Sequence, residues 1–189
     1  MAMIGEVESS GRNTEAISLR INTEKSAIWW RGTKMLRTAG HEGTLQIKEG
    51  YLLFMNDKLV GGKITADINT VSIGNSTSYD EETMQKLSNH LKRKEFNALQ
   101  YPLAHFEITR VKYIGGDSLR VWGNMSIKGV TKNISIPAYI EKTDNNRKRF
   151  RTGFSLQRSH WNIGSDGNLL EKNLVDEDFT LRITLETAM

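Results

Sequence analysis

Between Tyr101 and Ile136 the chain reads YPLAHFEITRVKYIGGDSLRVWGNMSIKGVTKNISI, three alternating stretches separated by two glycine-containing turns. From Leu119 to Ile127 the apolar or small residues (Leu119, Val121, Gly123, Met125, Ile127) take every second position. Arg120, Trp122, Asn124, Ser126 and Lys128 take the others. A strand turns successive side chains to opposite faces, so this run buries one face only. Gly115-Gly116-Asp117-Ser118 and Lys128-Gly129-Val130-Thr131 supply residues that accept positive φ in a tight reversal. The stretch therefore predicts antiparallel strands joined by hairpins.

The same parity recurs in Gly62-Ile64-Ala66-Ile68, Ile134-Ile136-Ala138-Ile140, Phe150-Thr152-Phe154-Leu156 and Phe179-Leu181-Ile183-Leu185. Ser26 to Arg31, Gly43 to Lys48 and Tyr51 to Met55 are rich in β-branched and aromatic residues, with Glu49-Gly50 separating the last two. Roughly eight or nine short strands with hairpin turns argue for an all-β barrel or sandwich and against a parallel α/β sheet. One segment breaks the pattern. From Asp80 to Lys94, Met84, Leu87 and Leu91 fall at helical spacing, with acids at the start and bases at the end. Ser78 or Asp80 is the expected cap, and the apolar face is expected to pack on the sheet or close a barrel end.

A length of 189 residues suits one domain. Residues 1–20 lack a clear pattern and read as a flexible lead-in to a domain over 21–189. No segment combines basic residues with the apolar run of a signal peptide, or is apolar for long enough to span a bilayer as a helix. There is no cysteine, hence no disulfide and no thiolate metal site. A net charge of +4, from 26 bases against 22 acids, is a mild excess and does not suggest nucleic-acid binding. The Arg147-Lys148-Arg149-Arg151 cluster, following Asp144-Asn145-Asn146, reads as a solvated hairpin. Attraction to an anionic membrane surface is compatible with the same charges.

The sharpest catalytic candidate is Gly116-Asp117-Ser118-Leu119, which spells the GDSL string of certain serine esterases. Those enzymes need an Asp three residues before a His. Here Thr38, Leu87, Pro102 and Gln157 hold that place before His41, His90, His105 and His160. A hydroxyl without a positioned base is a poor nucleophile, so the string reads as a hairpin turn. The histidines are isolated, and only His105 has a carboxylate two to four residues on, Glu107 on the same strand face. No metal or cofactor is expected. His41, between Gly40 and Glu42-Gly43, is a candidate polar contact for a ligand.

Five blocks in order carry a resemblance: SAIWWRGTKMLRTAGHEGTLQIKEG, GGKITADINTVSI, KLSNHLKRKEFNALQYPLAHFEIT, VWGNMSIKGVTKNISIPA and RSHWNIG. Together they are similar to the YceI-like family, from about Lys25 to Leu185. The resemblance implies an antiparallel lipocalin-like barrel of about eight strands, with one amphipathic helix inserted over about 80–94, that binds polyisoprenoid or other long-chain lipid without catalysis. It also implies a periplasmic or otherwise exported protein. Phe96-Asn97 stands where the family usually has paired aromatics, and Tyr79-Asp80 where it often has Arg-Asp.

An eight-stranded barrel has an interior just wide enough for its own side chains or one slender ligand. Gly62, Ala66, Gly123, Ala138 and Thr152 sit in register with large residues and are expected to leave room. By parity, Trp30, Phe106, Ile108, Met125, Ile134, Ile136, Phe154 and Ile183 are expected to touch an apolar tail, and His41, Tyr101 and Arg158 a polar head. The expected partner is a long-chain apolar lipid, isoprenoid or fatty-acid-like, with peripheral membrane contact and a homodimer as further expectations. Two alternatives stand beside it. One is a lipid-ester hydrolase using Ser118, which requires a histidine within hydrogen-bond reach. The other is a solid, ligand-free protein-interaction barrel, which requires the absence of an apolar cavity.

Overall fold

The structure is a computed structural model and describes residues 1–11, 15–34, 40–74, 80–143, 147–164 and 175–188. In chain order the strands are β1 (Met3–Gly5), β2 (Ile17–Arg20), β3 (Ala27–Lys34), β4 (Gly40–Met55) and β5 (Lys58–Ile73). Helix α1 (Glu81–His90) follows, then β6 (Leu103–Gly115), β7 (Ser118–Ile127), β8 (Val130–Lys142), β9 (Lys148–Gln157) and β10 (Val175–Glu186). The order β8-β7-β6-β5-β4-β3-β10-β9 closes on itself because β9 pairs back to β8. The result is a closed antiparallel barrel of eight strands, flanked by β1 and β2, with one short helix. Closure leaves the eight strands no free edge.

The alternation in the sequence is the alternation of burial. On β7, Leu119, Val121, Met125 and Ile127 are buried, and on β8 Ile134, Ile136, Ala138 and Ile140 join them in the core. The turns between β6, β7 and β8 fall where the glycines predict, with φ of 54° at Gly116 and 75° at Gly129.

Three expectations are corrected. The region read as two strands around Glu49-Gly50 is one continuous strand, β4, because the register shifts there by a bulge instead of reversing. The stretch read as a flexible lead-in contains two strands. β8 pairs with β9 only from Ala138 to Lys142, and β1 occupies the seam where they part. Met3 to Gly5 pair with Ser135 to Asn133, while the Ala2 amide donates to the Ser155 carbonyl at 2.9 Å. Farther along, the Glu8 amide and carbonyl bond the Asn124 side chain at 3.1 and 2.6 Å, so this arm crosses the outside of β7. Three paired residues carry too little periodicity to show in a sequence.

The third correction concerns the basic cluster beginning at Arg147. Its first members are not solvated: the Arg147 and Lys148 side chains are 12% and 11% exposed. Arg147 and Arg149 hold the nearly buried Glu186 at 3.1 and 2.9 Å, and Lys148 meets Asp57 at 3.0 Å. With Leu52, Leu59, Leu119 and Ile140, these groups fill one end of the barrel. Asp144-Asn145-Asn146 lies outside the described residues, as does Ser78.

Asp80 is the helix cap, its carboxylate accepting from the Thr83 amide at 2.7 Å. The helix runs past the expected Lys94 by changing pitch. Leu91–Glu95 is a π-helical turn, closed by the Phe96 amide donating to the Leu91 carbonyl at 3.0 Å.

Candidate functional site

The barrel has one open and one filled end. At the open end come together the end of β3, the start of β4, the end of β5, α1, the start of β6, the β7–β8 turn, the end of β9 and the start of β10. A cavity of about 400 Å³ runs from this end into the lumen, within the ordinary size range of small-molecule sites. Its walls are almost wholly apolar. Trp30 and Leu45 contribute from β3 and β4, Ile64 and Ala66 from β5, Phe106 from β6, and Met125 and Ile127 from β7. Deeper, Ile136, Phe150, Thr152, Phe154 and Leu185 line it toward the filled end.

Helix α1 and its π turn form part of the mouth. Leu87, His90, Leu91, Glu95 and Phe96 all line the cavity, which settles the apolar face of the helix as a barrel-end closure. The remaining polar lining groups, apart from Thr152, also lie at the mouth: His41, His105, Arg158 and Asp178. Glu95 sits between His90 and Arg158, with Oε1 3.5 Å from His90 Nε2 and Oε2 4.0 Å from Arg158 Nη1. His105 receives or gives a hydrogen bond at Nδ1 to Thr65 Oγ1 at 3.1 Å. Burial, and then the neighbouring Lys63 charge, hold its pKa below the ordinary imidazole value.

Of the residues expected to touch a tail, Trp30, Phe106, Met125, Ile136, Phe154 and Ile183 line the cavity. Trp30 faces inward and its Nε1 donates to the Ser72 carbonyl at 3.2 Å, whereas Trp29 stacks outside under the Arg182 guanidinium. Ile108 and Ile134 do not line it. Both flank Gly123 in register, and the Phe106 ring lies over that glycine, so the two isoleucines pack in the core beneath. Among the expected head contacts, His41 and Arg158 are at the mouth. Tyr101 does not line the cavity; its ring is taken up at the rim, packed on Gly129 in the β7–β8 turn.

The small residues divide in the same way. Ala66 and Thr152 do widen the lumen. Gly123 does not, because Phe106 fills its space. Gly62, at φ 155°, lies against the Tyr51 carbonyl and Leu52, where a Cβ would collide with the neighbouring strand. Ala138 is buried but is not part of the wall.

His90 and Glu95 were not legible as a mouth pair. Five residues apart, they diverge on an α-helix and converge only across the π turn. Asp178 lies in the stretch where β10 bulges against β3, between Val175 and Phe179, which hides its parity.

Ser118 is remote from this site. It begins β7 in the hairpin turn at the filled end. His105 is paired with Ser126 at the other end of the same strand, about 26 Å away at ordinary strand rise. The Gly-Asp-Ser-Leu string is a turn. Among the described residues no group of three or more His, Asp or Glu side chains is placed to hold a metal ion.

The family pattern described as the YceI-like domain matches residues 19–187. The chain belongs to the YceI-like family. UPF0312 proteins of Azotobacter vinelandii and Yersinia pestis are 29% and 28% identical to it over 114 and 130 residues. Those matches cover 59% and 66% of this chain, and 56% and 64% of the relatives' own lengths. Among solved structures, Burkholderia cenocepacia BcnA superposes with a TM-score of 0.70 at 19% identity, covering 89% of this chain and 99% of that one. A polyisoprenoid binding domain from Saccharophagus degradans gives 0.67 at 11% identity, covering 89% and 96%. At such identities the likeness is one of fold, and it confirms the YceI-type barrel.

Proposed function

We propose that this YceI-like protein binds a long-chain apolar lipid, isoprenoid or fatty-acid-like, and carries or sequesters it without chemical change. The observation that carries the reading is the distribution of polarity in the lumen. Apart from Thr152, the wall is apolar from Trp30 down to Leu185, and every charged lining group lies at the mouth. A lipid with its tail along the barrel axis and its head at His41, Arg158 and Glu95 matches that distribution. Each methylene drawn from water gains about 0.8 kcal/mol, so a tail several units long binds without directional contacts, against the entropy cost of association.

Family membership and the polyisoprenoid-binding neighbour support the ligand class and a binding role. Family membership alone supports our further reading of a home outside the cytoplasm, in the periplasm. The test is native mass spectrometry of the purified protein, followed by solvent extraction and identification of what is released. One lipid per chain, released only on unfolding or extraction, is the expected result. An empty protein that also fails to take up an added polyprenol or fatty alcohol would overturn the reading.

A further inference from the structure

The turn after α1 carries the most exposed large apolar side chain among the described residues. Leu99 is 97% exposed, while Ala98 beside it is 4% exposed. The turn is firmly built. The Ala98 amide donates to the Lys92 carbonyl at 2.8 Å, and the Gln100 and Tyr101 amides both donate to the Asn97 carbonyl, at 3.0 and 2.9 Å. Asn97 takes the left-handed conformation at φ 48°, and Tyr101 anchors the far side against Gly129. Leu99 is therefore held out into solvent by a fixed loop.

A single exposed leucine is ordinary, and two neighbouring facts set this one apart. The π turn just before it is basic, with Lys92, Arg93 and Lys94 in sequence and the last two exposed. The nearest acid in the sequence, Glu95, faces His90 and Arg158, whereas Glu81 and Glu82 start the helix, roughly 15 Å away at helical rise. Glu82 is also paired with Lys86 at 2.6 Å. The same segment supplies Leu91, Glu95 and Phe96 to the cavity wall, so the leucine and the cations stand at the mouth.

We propose that Leu99, with Arg93 and Lys94, seats the barrel mouth on an anionic bilayer, the leucine inserted at the headgroup boundary and the cations against lipid phosphates. A lone leucine beside cations offers no flat apolar area for a protein, and its charge complements an acidic membrane surface. The docking rests on the carrier reading for its purpose, transfer between bilayer and lumen, but its binding is measured independently. With one apolar anchor and a few cations the contact is weak and reversible, as loading and departure require.

Co-sedimentation of the full chain with phosphatidylcholine vesicles, with and without phosphatidylglycerol, tests this. Binding is expected only to the anionic vesicles and is expected to weaken as salt is raised. Leu99→Asp, and separately the double variant R93E/K94E, should each lower the partition coefficient about tenfold. Ile114→Asp, a control at the opposite end where Ile114 is 62% exposed, should leave it unchanged. Failure to bind anionic vesicles, equal binding to neutral ones, or equal losses from Ile114→Asp and Leu99→Asp would overturn the proposal. Lipid extraction separates it from the carrier reading: Leu99→Asp protein should keep a lumen lipid, whereas an empty lumen with intact vesicle binding sinks the carrier and leaves the docking in place.

Discussion

The Phe106 ring stands in the space that the missing side chain of Gly123 leaves on the neighbouring strand. A Cβ at position 123 would lie 2.6 Å from Phe106 Cε2 and 2.7 Å from the Glu107 carbonyl. The glycine thus lets a large ring lie flat against the wall and sets how much of the lumen stays open. Gly123→Ala should cost about 1–3 kcal/mol through overpacking, read as a lower urea midpoint. A second change, Phe106→Leu, should restore part of it. An unchanged midpoint in the single variant would show that the ring moves freely.

Ala66 lines the cavity and is 5% exposed. Ala66→Phe fills lumen space with a ring, so the folded variant should bind a fluorescent fatty acid analogue at least tenfold more weakly while its circular dichroism stays native. Full binding by that variant would place the ligand elsewhere.

Glu186 joins the filled end to β9 through Arg147 and Arg149. The Arg149 hydrogen bond, more than that of Arg147, holds its pKa below the ordinary carboxylate value. A depressed carboxylate stabilises the fold above its unfolded pKa, and that contribution is lost as pH falls through the folded value. Glu186→Gln should lower the thermal midpoint at pH 7 and narrow the gap to wild type on acidification below pH 5. A constant gap across that range would exclude the linkage.

His105 titrates in the other chemical sense with the same outcome. Its folded pKa lies below the ordinary 6.5, so the unfolded chain takes up a proton first and stability falls as pH drops through that value. His105→Gln should flatten the stability profile between pH 7 and 5, measured by denaturant titration at each pH. A profile as steep as wild type would assign the slope to other groups.

Much of this protein was legible in its sequence because period-two burial is a local signal. Leu119, Val121, Met125 and Ile127 alternate in the chain for the same reason they turn inward to the core. The GDSL string could be dismissed from the absence of a matching Asp and His, before its turn at Gly116 was seen. Parity also chose Trp30 over Trp29. It could not tell wall from core, however, for Ile108 and Ile134 share the parity of Met125 and lie beneath Phe106.

By itself, then, the sequence determined a set of antiparallel strands, their inward faces and the helix that interrupts them, since each depends on neighbours a few residues apart. Tertiary structure decided the rest. Whether Gly123 is a void or a seat for Phe106 depends on the strand beside it. Whether Arg147 is solvated or buried depends on Glu186 across the barrel end. That β1 fills the seam between β8 and β9 depends on where those strands part. These contacts join residues far apart in the chain, and no local period encodes which of them will meet.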